Sequence, residues 1–65
     1  MKLLMAEKDD QIWYFTSIGK AAAYINTSST YIKMVLAGIS KKVKGWTFEW
    51  TEDENIINKF INPEP

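Results

Sequence analysis

The chain has 65 residues, 46% of them hydrophobic and 14% aromatic, with eight basic residues balancing eight acids and neither cysteine nor histidine. That length fits one domain with a small core. The missing cysteines exclude disulfides and thiolate metal sites, and the missing histidine removes the commonest metal ligand and near-neutral base. No apolar run approaches the roughly 20 residues that span a bilayer, and the stretch from Met1 to Ala6, followed at once by charge, is too short for a signal peptide. The expectation is a cytoplasmic protein with no membrane contact and no cofactor.

Residues 2–6, Lys-Leu-Leu-Met-Ala, and 11–15, Gln-Ile-Trp-Tyr-Phe, are apolar runs on either side of the polar cluster Glu7-Lys8-Asp9-Asp10. They predict a β-hairpin over residues 1–15; the alternative is that residues 1–6 form a frayed end. Residues 16–38 then read as a helix, a tight turn and a second helix. Ser17, or Thr16 before it, can cap the first helix, in which Ile18, Ala21, Ala22 and Ile25 recur at helical spacing. The two alanines let another helix approach closely. Asn26 in the turn Ile25-Asn26-Thr27 is a residue type that tolerates the left-handed conformation at a helix end. Ser28 caps the second helix, Ile32, Val35 and Leu36 form its inward stripe, and Gly38 stands where a helix commonly stops. Ser29, Thr30, Tyr31, Lys33, Met34 and Ala37 are left on its outer face.

Trp46, Phe48 and Trp50 alternate with polar residues and predict a strand over 45–50 that presents three aromatics to a core. Base stacking on these rings is the competing reading. Thr51-Glu52-Asp53-Glu54 reads as a capping box that opens a C-terminal helix over 51–62, with Ile56, Ile57, Phe60 and Ile61 as its apolar stripe and Asn62-Pro63 as its stop. The stripe is expected on the same core as the other elements; a dimer contact or a protein-docking surface is the alternative. Together these elements predict a single α+β domain, a helix-turn-helix packed on a three-stranded antiparallel sheet, plus a C-terminal helix.

Charge is unevenly spread. Between Gln11 and Phe48 stand Lys20, Lys33, Lys41, Lys42 and Lys44 and no acid, a net +5, whereas the first ten residues sum to −1 and residues 49–65 to −4. A basic stretch around a groove-sized helix suits phosphate contact. Asp9-Asp10 and the acids at 52–54 have ready roles at a turn and a helix start, so no metal is expected there.

Phe15 to Trp50 resembles the small helix-turn-helix repeat found beside the catalytic domains of intron-encoded homing endonucleases of the GIY-YIG and HNH types. The shared pattern is Phe15 and capping Ser17, paired Ala21 and Ala22, Ile25, capping Ser28, Ile32 and Leu36, Gly38, and the terminal Gly45-Trp46-x-Phe48-x-Trp50. Asn26, Thr27 and Ala37 depart from it where glycine, an aliphatic residue and lysine are usual. The resemblance implies a DNA-binding module, and such modules occur mainly in phages and mobile elements. No nuclease pattern accompanies it, and the chain lacks arginine as well as histidine, so a free-standing module and no enzyme is expected.

The resulting expectation is a regulator or accessory factor whose partner is double-stranded DNA. Helix 29–37 enters the major groove, with Ser29, Thr30, Tyr31, Lys33 and Met34 facing base edges or adjacent phosphates and Lys20, Lys41, Lys42 and Lys44 supplying further phosphate contacts. The alternative is a phage effector that binds a host or phage protein through its surface or acidic C-terminal helix.

Overall fold

The computed structural model describes residues 1–61; the expected helix stop at Asn62-Pro63 lies outside them. The chain forms β1 (Leu3–Lys8), β2 (Gln11–Phe15), α1 (Ile18–Ile25), α2 (Ser29–Leu36), β3 (Thr47–Thr51) and α3 (Glu54–Ile61). The strands make one antiparallel sheet in the order β2-β1-β3. This is the α+β class expected from the sequence, with the helix-turn-helix on a three-stranded sheet. Far from fraying, the first residues form the central strand.

Register decides which side chains share a face. Leu4 pairs with Phe15 and Trp50, and Ala6 with Trp13 and Phe48. These residues point to one side, where Leu4, Ala6 and Phe48 join Ala21 and Ala22 of α1, Ile32 of α2 and Trp46 in a buried cluster. Phe15, Ile18, Ile25, Val35, Leu36, Val43 and Trp50 pack around it. The aromatic strand is therefore core, which leaves its rings covered rather than open to bases. Lys2 places its ammonium 4.8 Å from the centroid of the Trp50 ring and closes that end of the core.

Leu3 and Met5 face the other way, beside Tyr14 of β2 and Glu49 and Thr51 of β3. Leu3 is nevertheless fully buried, and so is most of Ile57, although neither belongs to the cluster under α1 and α2. Tyr14 shares a shallow hollow with Ile56, Lys59 and Phe60. The expectation that the apolar stripe of α3 joins the same core is therefore corrected: the C-terminal helix lies on the opposite face of the sheet, beside Tyr14. The reason lies in β1, whose Leu3-Leu4-Met5-Ala6 run is apolar on both faces and so needs a cover on each.

Three local details differ from what the sequence predicts, the first being that the third strand is Thr47–Thr51 rather than 45–50, because Gly45 turns the chain and Trp46 bridges back to Val43. The hairpin ladder runs on to the Lys8–Gln11 pair, so the turn shrinks to Asp9-Asp10, with Asp9 at φ 55°. Thr51 belongs to β3, and the cap of α3 is Asp53, whose Oδ1 accepts from the N–H groups of Asn55 at 2.9 Å and Ile56 at 3.4 Å. A carboxylate two residues nearer the helix satisfies the free N–H groups that the Thr51 hydroxyl was expected to take. Thr51 Oγ1 instead accepts from the N–H of Asp53.

Candidate nucleic-acid interface

The helix pair is built from short signals in the chain. Ser17 Oγ accepts from the N–H of Lys20, and Ser28 Oγ from that of Thr30, both at 3.2 Å. Each serine meets a donor that the first helical turn leaves unpaired. Between the helices Asn26 takes the left-handed conformation, φ 64° and ψ 55°, and the N–H of Thr27 donates to the Ala22 carbonyl at 2.9 Å. The α2 helix ends at Leu36 with Ala37 as its cap, and Gly38 follows at φ 81°, its N–H donating to the Val35 carbonyl while that of Ile39 reaches back to Met34. These two bonds form the closing pattern that a left-handed glycine makes possible.

Packing then fixes which side of α2 faces out. Ile32 is fully buried and Val35 and Leu36 partly so, which leaves Thr30, Lys33, Met34 and Ala37 as a stripe at helical spacing on the far side. Thr30, Lys33 and Ala37 are exposed, Met34 is half-buried, and Tyr31 stands exposed on one flank. Ser29 is half-buried on the flank that turns toward the core, so it stands at the margin of the outer face. No acid lies on α2.

The lysines are distributed differently from the linear pattern. All five are exposed. Lys20 stands on α1 and Lys33 on α2, while Lys41, Lys42 and Lys44 belong to the segment that leads into β3. There Val43 and Trp46 exchange two backbone hydrogen bonds, at 3.0 and 2.9 Å, around Lys44 at φ 51° and Gly45 at φ 85°. Two consecutive left-handed residues are the signature of a tight two-residue hairpin turn. This turn aims the Lys44 ammonium at the carbonyl oxygen of Asn26, to which it donates. Lys44 therefore ties the turn between α1 and α2 to the segment before β3. Lys42 shares a hollow with Glu7, Lys8, Asp9, Gly45 and Thr47. Acids from the first hairpin thus sit beside it, which a count along the chain does not reveal.

The C-terminal acids are set apart from these lysines. Glu49 points to the α3 side of the sheet, and Glu52, Asp53 and Glu54 follow the far end of β3. The strand between Thr47 and Thr51 separates them from the Lys41–Lys44 segment by about 14 Å. Among the described residues no group of three or more acids is placed to hold a metal ion, and no helix is long and apolar enough to cross a membrane.

One cluster has no counterpart in the sequence reading. Tyr24 of α1 stacks against Trp13 and Phe15 of β2, each with ring centroids 5.6 Å apart, yet Tyr24 is 57% and Trp13 44% exposed. The spacing of Trp13 and Phe15 along a strand was a visible signal that they share a face; that Tyr24 would lean over them was not. The geometry defines a small α+β domain presenting a capped helix-turn-helix. Compared with known protein families, curated proteins and solved structures, the chain matches none.

Proposed function

We propose that the protein is a small non-catalytic DNA-binding protein, a regulator or accessory factor of phage or mobile-element type, that inserts α2 into the major groove. The observation that carries this reading is the outer face of α2. It is held by a fully buried Ile32, lined by Thr30, Lys33, Met34 and Ala37 with Tyr31 on its flank, and free of acids. Threonine and tyrosine hydroxyls and a lysine are donors to base edges or phosphates, and the methyl groups of Ala37 and Thr30 suit a thymine methyl. The resemblance of Phe15–Trp50 to the homing-endonuclease repeat supports the same reading.

The lysines take unequal parts in it. Lys33 lies on the inserted helix, Lys20 and Lys41 are exposed and available to flanking phosphates, Lys44 positions the helix-turn-helix, and Lys42 shares its hollow with Lys8 and the acids Glu7 and Asp9. Without arginine the forked bidentate contact to guanine is missing, so base-edge contact rests on the Lys33 ammonium as a point charge and on hydroxyls. Retardation of duplex DNA by single variants tests the reading. Lys33→Glu is expected to abolish the shifted band and Lys42→Glu to leave most of it. Equal retention by both would remove α2 from the interface and favour a protein partner.

A further inference from the structure

Among the described residues no strand pairs with the outer edge of β2. Edge strands of natural sheets are commonly blunted by charge, proline or a bulge. Gln11-Ile12-Trp13-Tyr14-Phe15 carries no charge, no proline, no glycine and no left-handed residue. Side chains on both of its faces are exposed, Ile12 at 50% and Trp13 at 44%. The opposite edge, β3, is different, because the exposed Glu49 stands at its midpoint. Antiparallel pairing of two β3 strands about that midpoint would set two carboxylates face to face.

We propose that β2 pairs antiparallel with β2 of a second copy of this chain, centred on Trp13, to form a two-fold dimer with a continuous six-stranded sheet. The backbone alternation favours this register. Lys8 and Gln11 close a two-residue turn and so form a hydrogen-bonded pair with each other; alternation then turns the N–H and C=O groups of Ile12 and Tyr14 outward. Centring on Trp13 sets Ile12 of each copy opposite Tyr14 of the other, so that all four outward groups of each strand find partners. Trp13 meets Trp13 in the intervening close pair, and the two Trp13–Phe15–Tyr24 clusters merge. Aromatic side chains are the residues enriched at such interfaces.

Charge complements this register. Continued past the strand ends, the pairing brings Asp10 of one copy alongside Thr16 of the other, at the start of α1. That helix has no acid in its first turn, and its N-terminal end favours a negative neighbour. Because the local two-fold of an antiparallel pair is perpendicular to the sheet, both helix-turn-helix units lie on the same face. Only one consequence rests on the proposed DNA binding, namely that the target of such a dimer is an inverted repeat.

The test needs no DNA, so its failure and failure of the DNA reading are separable. Sedimentation equilibrium of the native chain from about 1 µM to 1 mM is expected to show conversion of the 7.5 kDa protomer to twice that mass and no further. Trp13→Lys, which sets two ammonium groups opposite each other, is expected to remain monomeric while keeping a cooperative thermal unfolding transition. As the chain has no cysteine, Trp13→Cys introduces a single thiol. Two such thiols face each other across a close pair about 4.5 Å apart at Cα, within disulfide range. Oxidation should therefore give a covalent dimer from Trp13→Cys and none from Gln11→Cys, whose thiols lie at opposite ends of the paired strands. A native chain that stays monomeric throughout, assemblies larger than two, or equal cross-linking at both positions would overturn the proposal.

Discussion

Single residues fix the helix-turn-helix where the chain must bend. Asn26 at φ 64° ends α1, Gly38 at φ 81° follows the cap of α2, and Lys44 and Gly45 turn the chain back toward the sheet. A β-carbon at Gly38 would meet nothing within 4 Å, so the cost of Gly38→Ala is that of the backbone alone, about 1 kcal/mol. The measurement is urea denaturation, with the midpoint lowered and the m-value unchanged. Asn26→Gly is expected to lie within a few tenths of a kcal/mol of the native chain, since both residues accept this conformation. The roles of Asn26 and Gly38 were legible in the sequence because each residue type advertises its backbone preference. That of Lys44 was not, since lysine carries no such preference, and its place at the first left-handed position of the 43–46 turn follows from Gly45 beside it. The same blindness applies to the cap of α3, where Thr51 and Asp53 are both good caps and only the end of β3 decides between them.

At the scale of elements, β1 organises the molecule. Its apolar residues alternate between two faces, so Leu4 and Ala6 lie under α1 and α2 while Leu3 and Met5 turn to the face on which α3 lies beside Tyr14. The two covers are unequal. Ile32 is fully buried in the main cluster, whereas Ile57 retains 8% exposure at the edge of a thinner contact, and Phe60 and Ile61 beyond it are exposed. Ile32→Ala is expected to cost about 3–5 kcal/mol, which removes most of the stability of a domain that has on the order of 5 kcal/mol in total and sharply lowers its melting temperature. Ile57→Ala is expected to cost about 2 kcal/mol and to leave the helix-turn-helix folded. Far- and near-ultraviolet circular dichroism during thermal unfolding separates the two outcomes. The elements and their order were legible from periodicity and caps, which are local. Which face of the sheet receives α3 was not, because Ile56, Ile57, Phe60 and Ile61 describe an apolar stripe without naming its partner.

For the molecule as a whole, the neutral total conceals an uneven placement of charge. Acids at 52–54 follow one end of β3 and lysines 41–44 precede the other, with the outer face of α2 free of acids. The candidate interface was legible in outline, as the run of five lysines without an acid. It was not legible that Glu7 and Asp9 would come to Lys42, or that Lys44 would be engaged by Asn26; both depend on contacts between segments distant in sequence. If Lys20, Lys33 and Lys41 each neutralise one phosphate, the logarithm of affinity should fall with that of salt at a slope of about −2.7. The decisive measurement is the binding of the protein to a fluorescent random duplex at about 50 mM and 200 mM salt. The expected result is a rise in Kd of about 40-fold per protomer across that range. Failure to bind at the lower salt, or an affinity unmoved by salt, would contradict DNA binding through the α2 face.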